Sequence, residues 1–398
     1  MGPTYSDIIM EKPSLRSVGI SRAEGLTALD SVIFNREDWD RMDAEEASEL
    51  RREAIGEAVR FHSKNCREYG AYCERRNFDP EVPLTKENFS SVPQIPTSVF
   101  KTRELLSVPK DEIVRCFESS GTMGIKSRIF RDEITLARLS GSLRSSANVW
   151  SDLVGDVDIE EEVFVIHLGP SRREAGSVWF GYVMSLIELE ADTKHLMKDG
   201  KVDIREAIEM ASDALTEGKR ILVVGAPFLI REFCAQVPDR SVRFGSNLYL
   251  ITGGGWKKQG GRAISQIELA EFARTTLGLD STRQVRDVFN QVELNSAFIQ
   301  CGEGRLHAPP WVEVIVRDPF TLEPSASGTP GILTYLDPTA RSYPAFIIGE
   351  DLGIKEEGPC LCGRHSSSIR VDRRLKVSEH QGCALQLERQ FASVNLSL

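Results

Sequence analysis

The run Phe117-Glu118-Ser119-Ser120-Gly121-Thr122-Met123-Gly124-Ile125-Lys126-Ser127 gathers hydroxyls, two glycines and a lysine behind an apolar stretch. These are the parts of a phosphate cradle. Glycines let backbone N–H groups approach an anion, the hydroxyls of Ser119, Ser120 and Thr122 add donors, and Lys126 supplies a point charge. Walker A spacing is excluded, because Gly121 and Gly124 stand too close together and Ile125 separates Gly124 from Lys126. A second set, Cys301, His307 and the Cys360-Leu361-Cys362 pair, offers three soft thiolates and an imidazole, which suits tetrahedral zinc in a closed, structural site. The spacing is unlike that of the usual zinc fingers, so separate buried thiols and a surface histidine stay open as the alternative. A third, Thr252-Gly253-Gly254-Gly255-Trp256, follows an apolar strand ending at Ile251, where the ligands of open α/β sheets bind; a bare triple glycine also makes an ordinary turn.

These residues need elements to hold them. Residues 38–76 carry apolar positions at helical spacing among Glu, Arg and Ala. The segment 92–101 is broken by Pro93 and Pro96, and 132–150 has helical composition, which predicts that the phosphate loop joins a strand to a helix, a junction favourable to anions. From 163 to 350, strands at 163–168, 220–224 and 248–251 alternate with helices at 204–215 and 267–277, the pattern of an α/β fold with a largely parallel sheet. Residues 311–346 show strand runs and turns without helices. The expected organisation is a helical N-terminal region over 1–80, an α/β core over 81–310, a β-rich subdomain over 311–372 with the Cys-x-Cys loop, and a short C-terminal segment over 373–398.

A chain of 398 residues with 41% hydrophobic and 27% charged residues is an ordinary soluble globular protein with a large core. Its net charge of -10 argues against a nucleic-acid partner, since phosphate neutralisation needs clustered Lys and Arg. The longest apolar run, 221–230, is too short to span a bilayer and contains Gly225 and Pro227, and no basic and then apolar leader opens the chain. A cytoplasmic location is expected, with the 8 cysteines as thiols or metal ligands rather than disulfides.

The order of the motifs carries a resemblance. Ser119-Ser120-Gly121-Thr122-Met123-Gly124 is similar to the phosphate loop of the adenylate-forming enzymes, which activate a carboxylate as an acyl-adenylate. Asp287-Val288-Phe289-Asn290-Gln291-Val292-Glu293 resembles their Asp-x-Tyr-Gly-x-Thr-Glu motif, with Phe for Tyr, Asn for Gly and Val for Thr. The resemblance implies that Phe289 stacks on adenine and Glu293 helps hold Mg²⁺; Val292 lacks the family's hydroxyl and takes no role. Gly349-Glu350-Asp351 resembles the ribose-binding segment, with Asp351 as its carboxylate, and Asp372-Arg373-Arg374 resembles the hinge, the arginine being Arg373 or Arg374.

A narrower likeness covers roughly residues 30–390. Ile95-Pro96-Thr97-Ser98-Val99-Phe100-Lys101, the phosphate loop, 287–295 and Cys360-Leu361-Cys362-Gly363-Arg364 resemble the acyl-protein synthetase family of bacterial bioluminescence, which is related to the phenylacetate–CoA ligases. It implies the large adenylate-forming domain, ATP and Mg²⁺, a fatty acyl group, and a thioester on a cysteine near the C-terminus, where Cys383 sits here. Some phenylacetate–CoA ligase relatives also carry a structural zinc. Only about two dozen residues follow Arg374, so a short segment is expected in place of the C-terminal domain of most adenylate-forming enzymes.

Two alternatives remain: a ligase that passes its acyl group to coenzyme A or a carrier protein, and an inactive module that binds a nucleotide or a partner such as a reductase. Carboxylate activation needs no general base, so His167 is expected to be a satisfied core histidine, and Trp179, Phe180 and Tyr182 to be core.

Overall fold

The computed structural model describes residues 27–119, 126–144, 147–237, 243–254 and 264–375. Two compact units emerge, interleaved along the chain: one comprises Met1–Ser146, Gln291–Ala297 and His307–Leu398, the other Ala147–Asn290 and Phe298–Leu306. Contacts in space rather than chain order set this division.

In the second unit, strands Val163–His167, Asp192–His195, Arg220–Gly225, Leu248–Gly253 and Val285–Phe289 run parallel, with Phe298–Gln300 antiparallel beside the last. The run Ile221-Leu222-Val223-Val224 is apolar throughout because both sheet faces are covered. Ile221 and Val223 pack with Leu248, Leu250 and helices Ile204–Thr216, Pro227–Gln236 and Gln266–Leu277. Leu222 and Val224 point the other way, onto Leu153, Val154, Val163, Val165 and Met184. Local signals end the helices where expected: Ser265 and Glu268 form a capping box, and Gly278 closes the same helix at φ 62°.

In the first unit, helix Ala28–Asn35 precedes helices Ala44–Asn65 and Arg67–Arg75. Asp43 starts the longest one by accepting from the backbone N–H groups of Glu45 and Glu46. Strands Glu313–Arg317, Gly331–Leu336, Phe346–Glu356 and Ser368–Arg374 form an antiparallel sheet, and Ile95–Pro96 lies parallel to Ile347 and Ile348. Strand Gly331–Leu336 is buried at every position.

The phosphate loop is placed differently from the expectation. Strands Ile113–Glu118 and Arg128–Asp132 pair as an antiparallel hairpin, and helix Glu133–Arg144 starts only after the second strand. Arg128-Ile129-Phe130-Arg131-Asp132 pairs with the preceding strand, so a strand and not a helix follows Ser127.

His62, in the long helix, is fully buried, with Nδ1 2.7 Å from Ser107 Oγ and Nε2 3.1 Å from the Ala340 carbonyl. Burial pushes its pKa down to about 3. As pH falls, the unfolded chain protonates this histidine first, near its ordinary value of 6.5, so the neutral form's contribution to stability is complete above that pH and is lost below it. His62→Gln should lower the urea midpoint at neutral pH yet remove about 1.4 kcal/mol per pH unit from the decline on acidification below about pH 6, measured by urea titration at several pH values.

Candidate active site

In the first unit, the segment 291–297 and two strands bring three carboxylates together. Gln291 Nε2 donates to Asp351 Oδ2 at 2.7 Å. Glu293 is buried, which raises its carboxyl pKa, while the Ser127 hydroxyl beside it acts in the opposite direction. Burial also raises Asp351, and the nearby Arg374 charge pulls it back. Glu350 bridges two cations: Lys101 Nζ lies 2.9 Å from one oxygen and Arg374 Nη2 2.7 Å from the other. The strand register pairs Asp351 with Arg374 and Leu352 with Arg373. Successive side chains of a strand point to opposite faces, and the guanidinium that reaches Glu350 belongs to Arg374.

The phosphate-loop hairpin is closed at its base. Ser119 N–H donates to the Ser127 carbonyl at 3.1 Å, and Ser127 N–H donates to Ser119 Oγ at 3.0 Å. Lys126, exposed, pairs with Glu118 at 2.9 Å. Ser120, Gly121, Thr122, Gly124, Gly255 and Cys383 lie outside the described residues.

Also in this unit, His307, Cys360 and Cys362 present ligand atoms within 4.8 Å of one another. His307 Nε2 is 3.5 Å from Cys362 Sγ, and Nδ1 is 3.2 Å from the Ser366 carbonyl. A proton on Nδ1 donated to that carbonyl leaves Nε2 free to ligate, as second-shell partners of metal-bound histidines do. Zinc bonds of about 2.3 Å to sulfur and about 2.05 Å to nitrogen at a tetrahedral angle require a sulfur–nitrogen separation of about 3.5 Å, so the spacing fits. Cys360 begins a tight turn: its N–H donates to the Arg364 carbonyl, Gly363 N–H donates to the Cys360 carbonyl, and Gly363 has φ 88°.

The second unit holds the other candidates. Cys301 is buried and begins the same kind of turn, its N–H donating to the Arg305 carbonyl and Gly304 N–H returning to the Cys301 carbonyl, with Gly304 at φ 77°. Thr252 Oγ1 donates to Asp287 Oδ1 at 2.7 Å, and burial raises the Asp287 carboxyl to about 6. Phe289 meets Phe298 edge-on, with ring centroids 5.9 Å apart. Trp179 and Tyr182 are buried, as expected, and Trp179 Nε1 donates to Asn290 Oδ1. His167 is buried but not satisfied: neither ring nitrogen has a well-formed hydrogen bond, and burial lowers its pKa to about 4, helped by His195, whose ring centroid lies 4.8 Å away.

Sequence reasoning passed over Gln291, Glu350, Lys101 and Arg131. Glu350 and Lys101 lay within the quoted motifs, yet only the fold pairs them.

The fold is shared with solved acyl-activating enzymes. The structure of 2-hydroxyisobutyryl-CoA ligase in complex with 2-HIB-AMP and CoA in the thioesterification state matches with a TM-score of 0.61 at 14% identity, covering 85% of this chain and 70% of that one. An open conformation of that ligase matches at 0.60 and 13% identity, covering 85% and 73%. The fold is that of the adenylate-forming ligases.

The chain belongs to the family described as Acyl-protein synthetase, LuxE, whose family model matches residues 18–392. It is 34% identical over 375 residues to the long-chain-fatty-acid–luciferin-component ligase of Vibrio harveyi, covering 93% of this chain and 95% of that one. To the protein of the same description from Aliivibrio fischeri it is 34% identical over 363 residues, covering 90% and 93%. The resemblance carried by the motifs is borne out for family, fold and ligase class.

The glycine turn has a local physical reason. A Cβ added at Gly253 would stand 2.9 Å from Phe180 Cε2 and 3.1 Å from the Val288 carbonyl oxygen, and Gly254 has φ 63°. Gly253→Ala should therefore destabilise the protein by about 1–3 kcal/mol, and a second change, Phe180→Ala, should recover part of that loss, as read by urea midpoints of the single and double variants.

Proposed function

We propose that this enzyme uses ATP to activate a carboxylic acid and then transfers the acyl group to a thiol. In the first step a carboxylate oxygen attacks the α-phosphorus of ATP; the new oxygen–phosphorus bond forms as the bond to the bridging oxygen breaks, giving acyl-AMP and pyrophosphate. In the second, a thiolate attacks the acyl carbon, a thioester forms and AMP departs with the bonding electrons. The observation that carries this reading is the grouping of Glu293, Asp351 with its Gln291 partner, and Arg374 in one unit, in the order of the family's motifs.

The roles follow from chemistry. Lys126, Ser119, Ser120, Gly121, Thr122 and Gly124 cradle the phosphates; Phe289 stacks on adenine beside the flat backbone of Gly253, Gly254 and Gly255; Asp351 accepts from the ribose hydroxyls. Glu293 is the carboxylate for Mg²⁺, a hard cation that takes oxygen ligands and spreads the charge of the phosphates when bound. Arg374, rather than Arg373, is the hinge arginine, held on Glu350.

The acid is a long-chain fatty acid, the substrate class in the names of the relatives from Vibrio harveyi and Aliivibrio fischeri. Cys383 is the acceptor, with a reductase-type partner protein as the next station; coenzyme A and a carrier protein are the competing acceptors. Among the described residues no helix is long and apolar enough to cross a membrane. The need for ATP and a reduced thiol supports a cytoplasmic location.

His307, Cys360 and Cys362, with Cys301 as the fourth ligand, hold a structural zinc. The like turns at Cys301 and Cys360 support this, each presenting a cysteine ahead of a left-handed glycine.

Two outcomes are expected. With ATP, Mg²⁺ and a long-chain acid, the protein should exchange labelled pyrophosphate into ATP and gain an acyl adduct on the Cys383 peptide that neutral hydroxylamine releases. Lys126→Ala should slow exchange about tenfold or more, the scale of one lost charge-assisted bond, whereas Cys383→Ser should abolish the adduct and leave exchange intact. No exchange with any acid would favour the inactive binding module, and thioester formation on coenzyme A by Cys383→Ser at the parent rate would reassign the acceptor. The second expectation is about one zinc per chain by elemental analysis, lost in Cys360→Ser and Cys362→Ser together with thermal stability. Full stability in metal-free protein would return these residues to ordinary thiols.

A further inference from the structure

The segment 291–297 carries Gln291 and Glu293 but belongs to no helix or strand, so no ladder satisfies its backbone. Two fully buried charges do so instead. Arg131, on the second strand of the phosphate-loop hairpin, directs Nη2 at the carbonyls of Val292 at 2.7 Å and Leu294 at 3.1 Å, the two that flank Glu293. Its Nε donates to Asn295 Oδ1 at 3.2 Å, and its guanidinium sits over the rings of Phe117, 5.4 Å away, and Tyr343, 5.3 Å away. Asp337 takes the amides: Oδ2 accepts from Asn295 N–H at 3.0 Å and Ser296 N–H at 2.8 Å, and Oδ1 accepts from Ser296 Oγ at 3.1 Å. Asn295 completes the frame by donating to the Thr135 carbonyl at 2.8 Å.

Taking a guanidinium and a carboxylate fully out of water is costly unless each is met by hydrogen-bond partners. Here both meet the same short segment, the cation at its carbonyls and the anion at its amides. We propose, building on the reading of Glu293 as the Mg²⁺-side carboxylate, that Arg131 and Asp337 are a positioning pair that fixes the Glu293 backbone against the hairpin strand Arg128–Asp132. Arg131 is the link, because the strand that holds it leaves the loop at Ser127, whose hydroxyl lies beside the Glu293 carboxyl. Neither residue touches substrate; both act through the peptide groups around Glu293.

Arg317 supplies the comparison. It too is a buried arginine of this unit, clamping Gln94 Oε1 at 2.8 Å and the carbonyls of Leu322 at 2.9 Å and Ser90 at 2.8 Å, none of them a candidate site residue. Four variants of the full chain, Arg131→Lys, Asp337→Asn, Arg317→Lys and Glu293→Gln, would be compared by thermal midpoint, by deuterium uptake of the peptide covering 289–298, and by the Mg²⁺ concentration needed for half-maximal pyrophosphate exchange. Lysine keeps the charge at 131 but cannot span two carbonyls and an amide oxygen together.

The expected result is that Arg131→Lys and Asp337→Asn each speed deuterium uptake in 289–298 by about tenfold and raise the Mg²⁺ requirement in the same direction as Glu293→Gln, the scale of losing one hydrogen bond to a charged group. Arg317→Lys should lower the thermal midpoint and move neither quantity. Unchanged uptake in 289–298 in both Arg131→Lys and Asp337→Asn, or effects no more local than those of Arg317→Lys, would overturn the proposal. If Glu293→Gln itself leaves the Mg²⁺ requirement unchanged, the metal role of Glu293 fails separately, and deuterium uptake still decides whether the pair fixes the segment.

Discussion

A carboxylate drawn out of water must be met by donors or cations, and the first unit brings three of them together at Glu293, Glu350 and Asp351. Gln291 answers Asp351, Lys101 and Arg374 answer Glu350, and the Ser127 hydroxyl faces Glu293. The donors come from four separate parts of the sequence. They can converge only if the hairpin, the antiparallel sheet and the segment 291–297 each hold their registers, which ties the chemistry of the site to the packing of the unit. Burial raises the carboxyls of Glu293 and Asp351 above their ordinary range.

The second unit meets a different constraint. Its sheet is covered on both faces, so the strand Arg220–Gly225 at its centre is apolar without a break from Ile221 to Val224. The glycine turn at the end of Leu248–Gly253 is pressed against Phe180, and the Thr252–Asp287 bond links that strand to its neighbour Val285–Phe289. His167 sits at the last position of its strand, buried among neighbours that do not fully satisfy it. Near neutral pH its depressed pKa keeps the ring uncharged.

Much of this was legible in the chain. Period and composition located the strands and helices of the parallel sheet, because a sheet buried on both faces leaves an unbroken apolar run and an amphipathic helix leaves its own spacing. The motifs singled out Glu293, Asp351 and the Cys-x-Cys turn as candidates for a related reason: phosphate, ribose and soft metals each demand particular atoms, and few residue types supply them. The phosphate loop was legible as a loop but not in its setting. Arg128–Asp132 is a strand only because Ile113–Glu118 lies beside it, and pairing partners are not written in local sequence.

The sequence by itself determined the family, the α/β class and the identity of the groups that could meet a nucleotide, since these depend on residue type and on short-range spacing. Tertiary structure decided which of those groups share a neighbourhood and what holds them there. Arg373 and Arg374 are equivalent in sequence, and strand alternation with the Glu350 contact separates them. Arg131 and Asp337 lie far from Glu293 along the chain and match no motif; they become partners of its backbone because a segment without regular structure, buried in a folded unit, has to find its hydrogen bonds wherever the fold supplies them.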